Sequence, residues 1–213
     1  SMLEAILSGL TLGCILALSV GPVIFTIIKQ SLTNGHTGGF SFVGGVWASD
    51  IVLVVISNAF SALVADLLVY KDVIGYMGSI FLIIMGIYYL FFKKVELRMD
   101  TDGNIVRFRK RDILKIFSGG FFINTLNPSV FIFWLGTATA FAKYSMNQRM
   151  LIFAVCILIN IAADILKVLL AGKLRNRLTL HNISVINKVS GLILAGFGLA
   201  LFYGTFFLSD KIQ

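Results

Sequence analysis

The sequence predicts an all-α membrane protein. Six transmembrane helices form two inverted three-helix repeats, and helices 1 and 4 are broken at proline. Three observations carry this. Apolar segments of about 20 residues, the length that crosses a bilayer as a helix, recur along the chain. Pro22 and Pro128 are the only prolines among the 213 residues, and both lie inside such segments. Each half of the chain then repeats one order of marks: a proline, an acid inside an apolar run, and a glycine-spaced apolar run.

The composition excludes a soluble globule. Hydrophobic residues make up 58%, charged residues only 13%, and the mean hydropathy is +0.93. Soluble domains carry about 25% charge, and a chain this short cannot bury so much apolar surface in a single core. Residues 1–20 hold no Lys or Arg, so the basic start of a signal peptide is missing. Cys14 and Cys156 fall in apolar runs without a CxxC or a nearby His, which reads as two buried, inert thiols and no metal site. No cofactor is implied. The net charge of +8 reflects membrane topology, and no nucleic-acid partner is expected.

The spans are expected near 3–28, 39–65, 73–92, 115–142, 149–171 and 184–208. Residues 1–92 form the first repeat, 93–114 a basic cytoplasmic loop, and 115–213 the second repeat. In the loop, "VELRM" and "NIVRF" flank "DTDG", a turn signal that could close a small hairpin. A calcium loop is rejected there because Arg111 stands where a bidentate Glu belongs. With the N-terminus outside, 13 Lys and Arg fall on the inner side, counting Lys29, and 4 on the outer. The positive-inside rule therefore places both termini outside.

The halves resemble each other at three places. "SVGPVIF" pairs with "TLNPSVF", "GVWASDIVLVV" with "INIAADILKVLL", and "MGSIFLIIMGIYYLF" with "VSGLILAGFGLALFY". Three spans per repeat is an odd number, so the second copy enters the membrane upside down. Inverted repeats with broken helices mark secondary transporters, whose substrate site lies at the repeat interface near the midplane.

A proline inside a helix removes an N–H and clashes with the carbonyl four residues back. In lipid the freed groups must meet protein or a water-filled cavity. Gly21 and Asn127 precede the prolines and can serve as N-caps, with Pro22 and Pro128 at the first helical position. Each restarted half-helix turns free N–H groups and partial positive charge toward the cavity, which suits a carboxylate. Ser19, Asn124, Thr125, Asn127 and Ser129 add polar groups beside the breaks. A kink satisfied by neighbouring helices is the alternative.

Asp50 and Asp164 are the membrane acids. Such residues usually face a cavity or a partner. Lys167 lies three residues after Asp164 on one helical face, which suggests either a structural pair or a proton-coupling group. Asp50 has no such partner in its own helix; Lys29 or a substrate ammonium could serve it. Together these parts suit a zwitterion, and so an amino acid. The glycines of "SGLTLG", "GFSFVGG" and "GLILAGFG" allow close helix packing within the chain or, as the alternative, a homodimer face.

These residues carry a resemblance. "SVGPV", "NGHTGGFSFVGGVWASD", "GYMGSIFLIIMGIYYL" and "GGFFINTLNPSVFIFW" make the chain similar to the LysE/RhtB family of bacterial amino-acid exporters over nearly its whole length. The resemblance implies a six-segment inner-membrane carrier that exports amino acids or related metabolites, driven by the proton motive force. The family's aspartate and helix-breaking prolines fall on Asp50, Pro22 and Pro128, and its asparagine pair on Asn124 and Asn127. Two departures stand out. Val20 occupies a position where the family commonly has proline, and Ser129 a position where it often has lysine.

Other readings fit less well. An intramembrane aspartyl protease would show Tyr-Asp and Gly-x-Gly-Asp where this chain has "ASD" and "AAD". A thiol-electron carrier would need cysteines beside the prolines. A divalent-cation exporter of the same superfamily is the main alternative, though it wants more acids or thiols than Asp50 and Asp164. A non-transport scaffold would need no buried acids.

Overall fold

A computed structural model describes residues 1–18, 21–60, 66, 69–92, 110–174 and 180–208. Among these, seven α-helices follow in order: α1 (Met2–Leu18), α2 (Pro22–Ala59), α3 (Lys71–Ile87), α4 (Lys110–Thr125), α5 (Pro128–Ala140), α6 (Met146–Gly172) and α7 (Leu180–Leu208). A π-helical turn, Tyr88–Phe92, extends α3. No strand occurs among the described residues. The expected hairpin between residues 93 and 109 lies outside them.

Four helices are long and apolar enough to cross a membrane: α2, α3 with its π turn, α6 and α7. A fifth span arises if α4 and α5, which meet at 59°, count as one. α1 is apolar but shorter, at 17 residues. Length and composition thus show a multi-helical membrane protein without by themselves reaching the six spans expected.

Local chemistry explains the boundaries. α6 starts at a capping box, in which the Ser145 hydroxyl accepts from Gln148 N and the Gln148 side chain accepts from Ser145 N. α2 starts at Pro22 behind Gly21, and α5 at Pro128 behind Asn127, whose Oδ1 accepts from Ser129 N at 3.1 Å. At 38 residues, α2 would be about 57 Å long at 1.5 Å per residue, far beyond a bilayer core of about 30 Å. It is divided at Gly35, whose φ of 69° lies in the region that glycine alone enters cheaply.

Several sequence boundaries need correction. Residues 29–38, expected as a loop, are helical on both sides of Gly35. Lys29 is accordingly no loop cation. It is 3% exposed, and its Nζ lies 3.7 Å from the centroid of the Tyr89 ring. α4 begins at Lys110, before the span start expected near 115. α7 begins at Leu180, while its apolar span, Ser184–Phe207, falls where 184–208 was expected.

Packing follows the glycines. α1 lies on α6, where Gly9 and Gly13 face Ile152, Val155 and Ile159. α2 lies on α4 and α6, with Gly45 against the Phe117 carbonyl and Gly120 against that of Phe42. α3 lies on α7, where Gly86 and Gly191 each face the other's backbone. All three predicted glycine runs therefore contribute to packing inside the chain. The main core, around Phe42, Val46, Ile123 and Val168, sits where α2, α4 and α6 meet.

Candidate functional site

A cavity of about 190 Å³ opens between the start of α2, the α4–α5 break and the middle of α6. Gly21, Pro22, Asp50, Asn124, Asn127, Ser129, Asp164 and Lys167 all line it. Residues more than 100 positions apart thus share one space. Pro128 is the first residue of α5. Ser19 lies outside the described residues.

Asp50 is 3% exposed and is held from the other half of the chain. Its Oδ1 accepts from Asn124 Nδ2 at 2.7 Å and from Trp134 Nε1 at 3.0 Å. The Asn124 amide also donates to Ser49 Oγ at 3.0 Å, and Ser49 shares a 2.7 Å hydrogen bond with Thr125. Both donors on Asp50 fall on Oδ1. No donor among the described residues reaches Oδ2, which is left for the cavity that Asp50 lines.

Asp164 differs. Its Oδ2 accepts from Trp47 Nε1 at 3.0 Å, and Lys167 Nζ lies 3.5 Å from its Oδ1. Both oxygens are taken. Lys167 also donates to the Ala17 carbonyl at 2.8 Å, in the last turn of α1. Carbonyls there lack partners within the helix, and a cation suits the negative end of its dipole. Lys167 therefore ties α6 to the end of α1.

This predicts a paired response. Lys167→Met should destabilise the protein by about 2 kcal/mol, because a buried carboxylate loses its counter-charge. Adding Asp164→Asn should recover most of that loss. Thermal unfolding of the two variants in detergent measures it, and an additive double mutant would show that the pair is uncoupled.

The two half-helix starts also differ. Asn127 caps α5 through Ser129 N, whereas Gly21 brings no side-chain cap to α2. Among the described residues, no side chain caps the first N–H groups of α2. With the Asp50 oxygen, the cavity offers one positive helix end and one carboxylate. A zwitterion matches that pairing.

Sequence reasoning missed three contributors. Trp47 and Trp134, the only tryptophans in the chain, each donate to one of the two membrane acids. Asn160 lines the cavity one turn before Asp164. The Asn160–Asp164 spacing was a signal, since residues four apart share a helix face. The tryptophans carried none, because their partners lie 117 and 84 positions away. Lys29, a candidate partner for Asp50, stacks on Tyr89 instead. Among the described residues no three His, Cys, Asp or Glu side chains gather, so the cation reading gains no donor set.

Comparison with known proteins agrees in outline. The family described as "LysE type translocator" matches residues 14–205. The "Putative amino acid efflux protein YcgF" of Bacillus subtilis (strain 168) is 29% identical over 204 residues, covering 92% of this chain and 94% of that protein. No solved structure matches.

Proposed function

The chain belongs to the LysE type translocator family, and on that premise we propose that it is a bacterial inner-membrane carrier exporting amino acids or amino-acid-like metabolites. Transport is proton-coupled and runs by alternating access. The observation that carries this reading is the cavity itself, which joins an uncapped half-helix start at Gly21–Pro22 to an unoccupied oxygen on Asp50. The helix end takes the substrate carboxylate. Asp50 takes its ammonium or, between substrates, a proton.

Helix pairing supports the inverted repeat. α1 together with residues 22–34 makes span 1, and α4 with α5 makes span 4. Residues 36–59 and α6 are then spans 2 and 5, while α3 and α7 are spans 3 and 6. Exchanging the halves turns the α1–α6 contact into the α4–α2 contact and leaves α3–α7 in place. Rocking one three-helix unit against the other would expose the cavity to each side in turn. Both termini lie outside, with the basic 93–114 loop in the cytoplasm. Asp164 and Lys167 hold the break in span 1 and couple it to the proton cycle.

The test is accumulation of labelled amino acids in everted vesicles with an acidified lumen. One class should accumulate at least about tenfold above vesicles lacking the protein. If no amino acid accumulates under any pH gradient, the reading fails. Accumulation of a divalent cation in their place would assign the cation exporter.

A further inference from the structure

Resting on the export reading, we infer that Asn160 is a substrate contact and that the cavity takes amino acids with uncharged side chains. The first ground is an inventory of charge. Among the described residues, Asp50, Asp164 and Lys167 are the charged ones lining the cavity. Lys167 is committed to Asp164 and to the Ala17 carbonyl, and Asp164 has both oxygens occupied. The one carboxylate oxygen left open, on Asp50, is matched by the single α-ammonium every amino acid carries. A second ammonium, as in lysine, would be buried without a counter-charge. A second carboxylate, as in glutamate, would find no uncommitted cation. Each is costly in a desolvated site.

The second ground is Asn160. Its side chain is 7% exposed, lines the cavity and makes no hydrogen bond among the described residues. The amide opens onto the cavity, so a substrate group can bond to it without displacing a protein partner among the described residues. An amide can donate and accept, yet it neutralises no charge. It suits a polar group on a substrate that is otherwise already balanced. Around it the walls are apolar, with Ile24, Ile27, Val130, Phe133 and Phe197. The cavity therefore combines one zwitterion anchor, the amide of Asn160 and a largely apolar lining.

Counterflow in proteoliposomes tests this with leucine, serine, glutamine, lysine and glutamate. An uncharged member should exceed lysine and glutamate by at least about 100-fold in kcat/KM, as expected when a charge is left unpaired. Asn160→Ala should raise KM for that substrate about tenfold while kcat stays within about twofold, as loss of one hydrogen bond to a buried group predicts. Asn160→Asp keeps the size and adds a carboxylate. It should move the lysine-to-uncharged ratio at least about tenfold toward lysine. An unchanged KM in Asn160→Ala, or an unchanged ratio in Asn160→Asp, overturns the contact. Preferred exchange of lysine or glutamate by the wild type overturns the substrate class and leaves export standing. Absence of exchange for every amino acid removes both.

Discussion

Asp50→Asn should lower kcat/KM for transport at least about 100-fold while leaving the folded protein nearly as stable as the wild type. The separation follows from the hydrogen bonds. Asn124 Nδ2 and Trp134 Nε1 both donate to one oxygen, Oδ1. An asparagine keeps an oxygen there, so both bonds survive and the α2–α4 contact is retained. Its amide nitrogen takes the place of Oδ2 on the cavity side. An anionic acceptor becomes a neutral donor, which can neither hold a substrate ammonium nor carry a proton. A charge-assisted hydrogen bond is worth about 1.5–3 kcal/mol, and losing it to a donor facing a donor accounts for the fold-change. Transport assays at matched protein levels, with thermal melts of the purified variant, read both halves. Full pH-driven transport would remove Asp50 from the mechanism. Equal loss of stability and transport would make it a packing residue.

The adjacent glycines Gly119 and Gly120 should behave in opposite ways. A Cβ at Gly120 would run into the carbonyl oxygen of Phe42, and one at Gly45 into the backbone of Phe117 and Phe121. Backbone atoms at a helix crossing cannot rotate aside as a side chain can. Gly120→Leu should therefore cost more than about 3 kcal/mol, a severe overpacking that removes most of the folded protein. A Cβ at Gly119 would meet nothing within 4 Å. Gly119→Leu should be tolerated, and gains up to about 1 kcal/mol from helix propensity. Size-exclusion profiles after heating in detergent distinguish the two. A stable Gly120→Leu would mean that α2 and α4 do not pack as closely as described. The crossing also serves the site, since it brings Asn124, one turn on from Gly120, within 2.7 Å of Asp50.

Much of this architecture is legible in one dimension. Apolar run length marks membrane helices because lipid offers backbone groups no hydrogen bonds. Pro22 and Pro128 mark helix starts because the first turn needs no N–H from them. The glycine runs mark close crossings because only a missing side chain lets backbones approach. Other boundaries were less visible. Gly35 divides a helix where hydropathy suggests a loop, because the segment from Lys29 to Ser41 is mostly polar or small and looks like a connection to any apolar count.

The candidate site divides along the same line. Its residue types were readable, since acids, amides and prolines inside apolar runs are conspicuous. Their states were not. Asp50 and Asp164 sit in matching apolar contexts, and the sequence separates them only by Lys167, three residues after Asp164. Which oxygens are taken is seen only in the folded chain, where Trp47 and Lys167 occupy both oxygens of Asp164 while Asn124 and Trp134 share a single oxygen of Asp50. Asn160 likewise becomes significant only when the fold places its amide on the cavity wall, with no hydrogen bond among the described residues. Local order in the chain dictates where helices begin, break and pack, through backbone hydrogen bonding and side-chain size. Which polar atom remains open depends on partners from distant segments, so it is decided only once those segments have packed together.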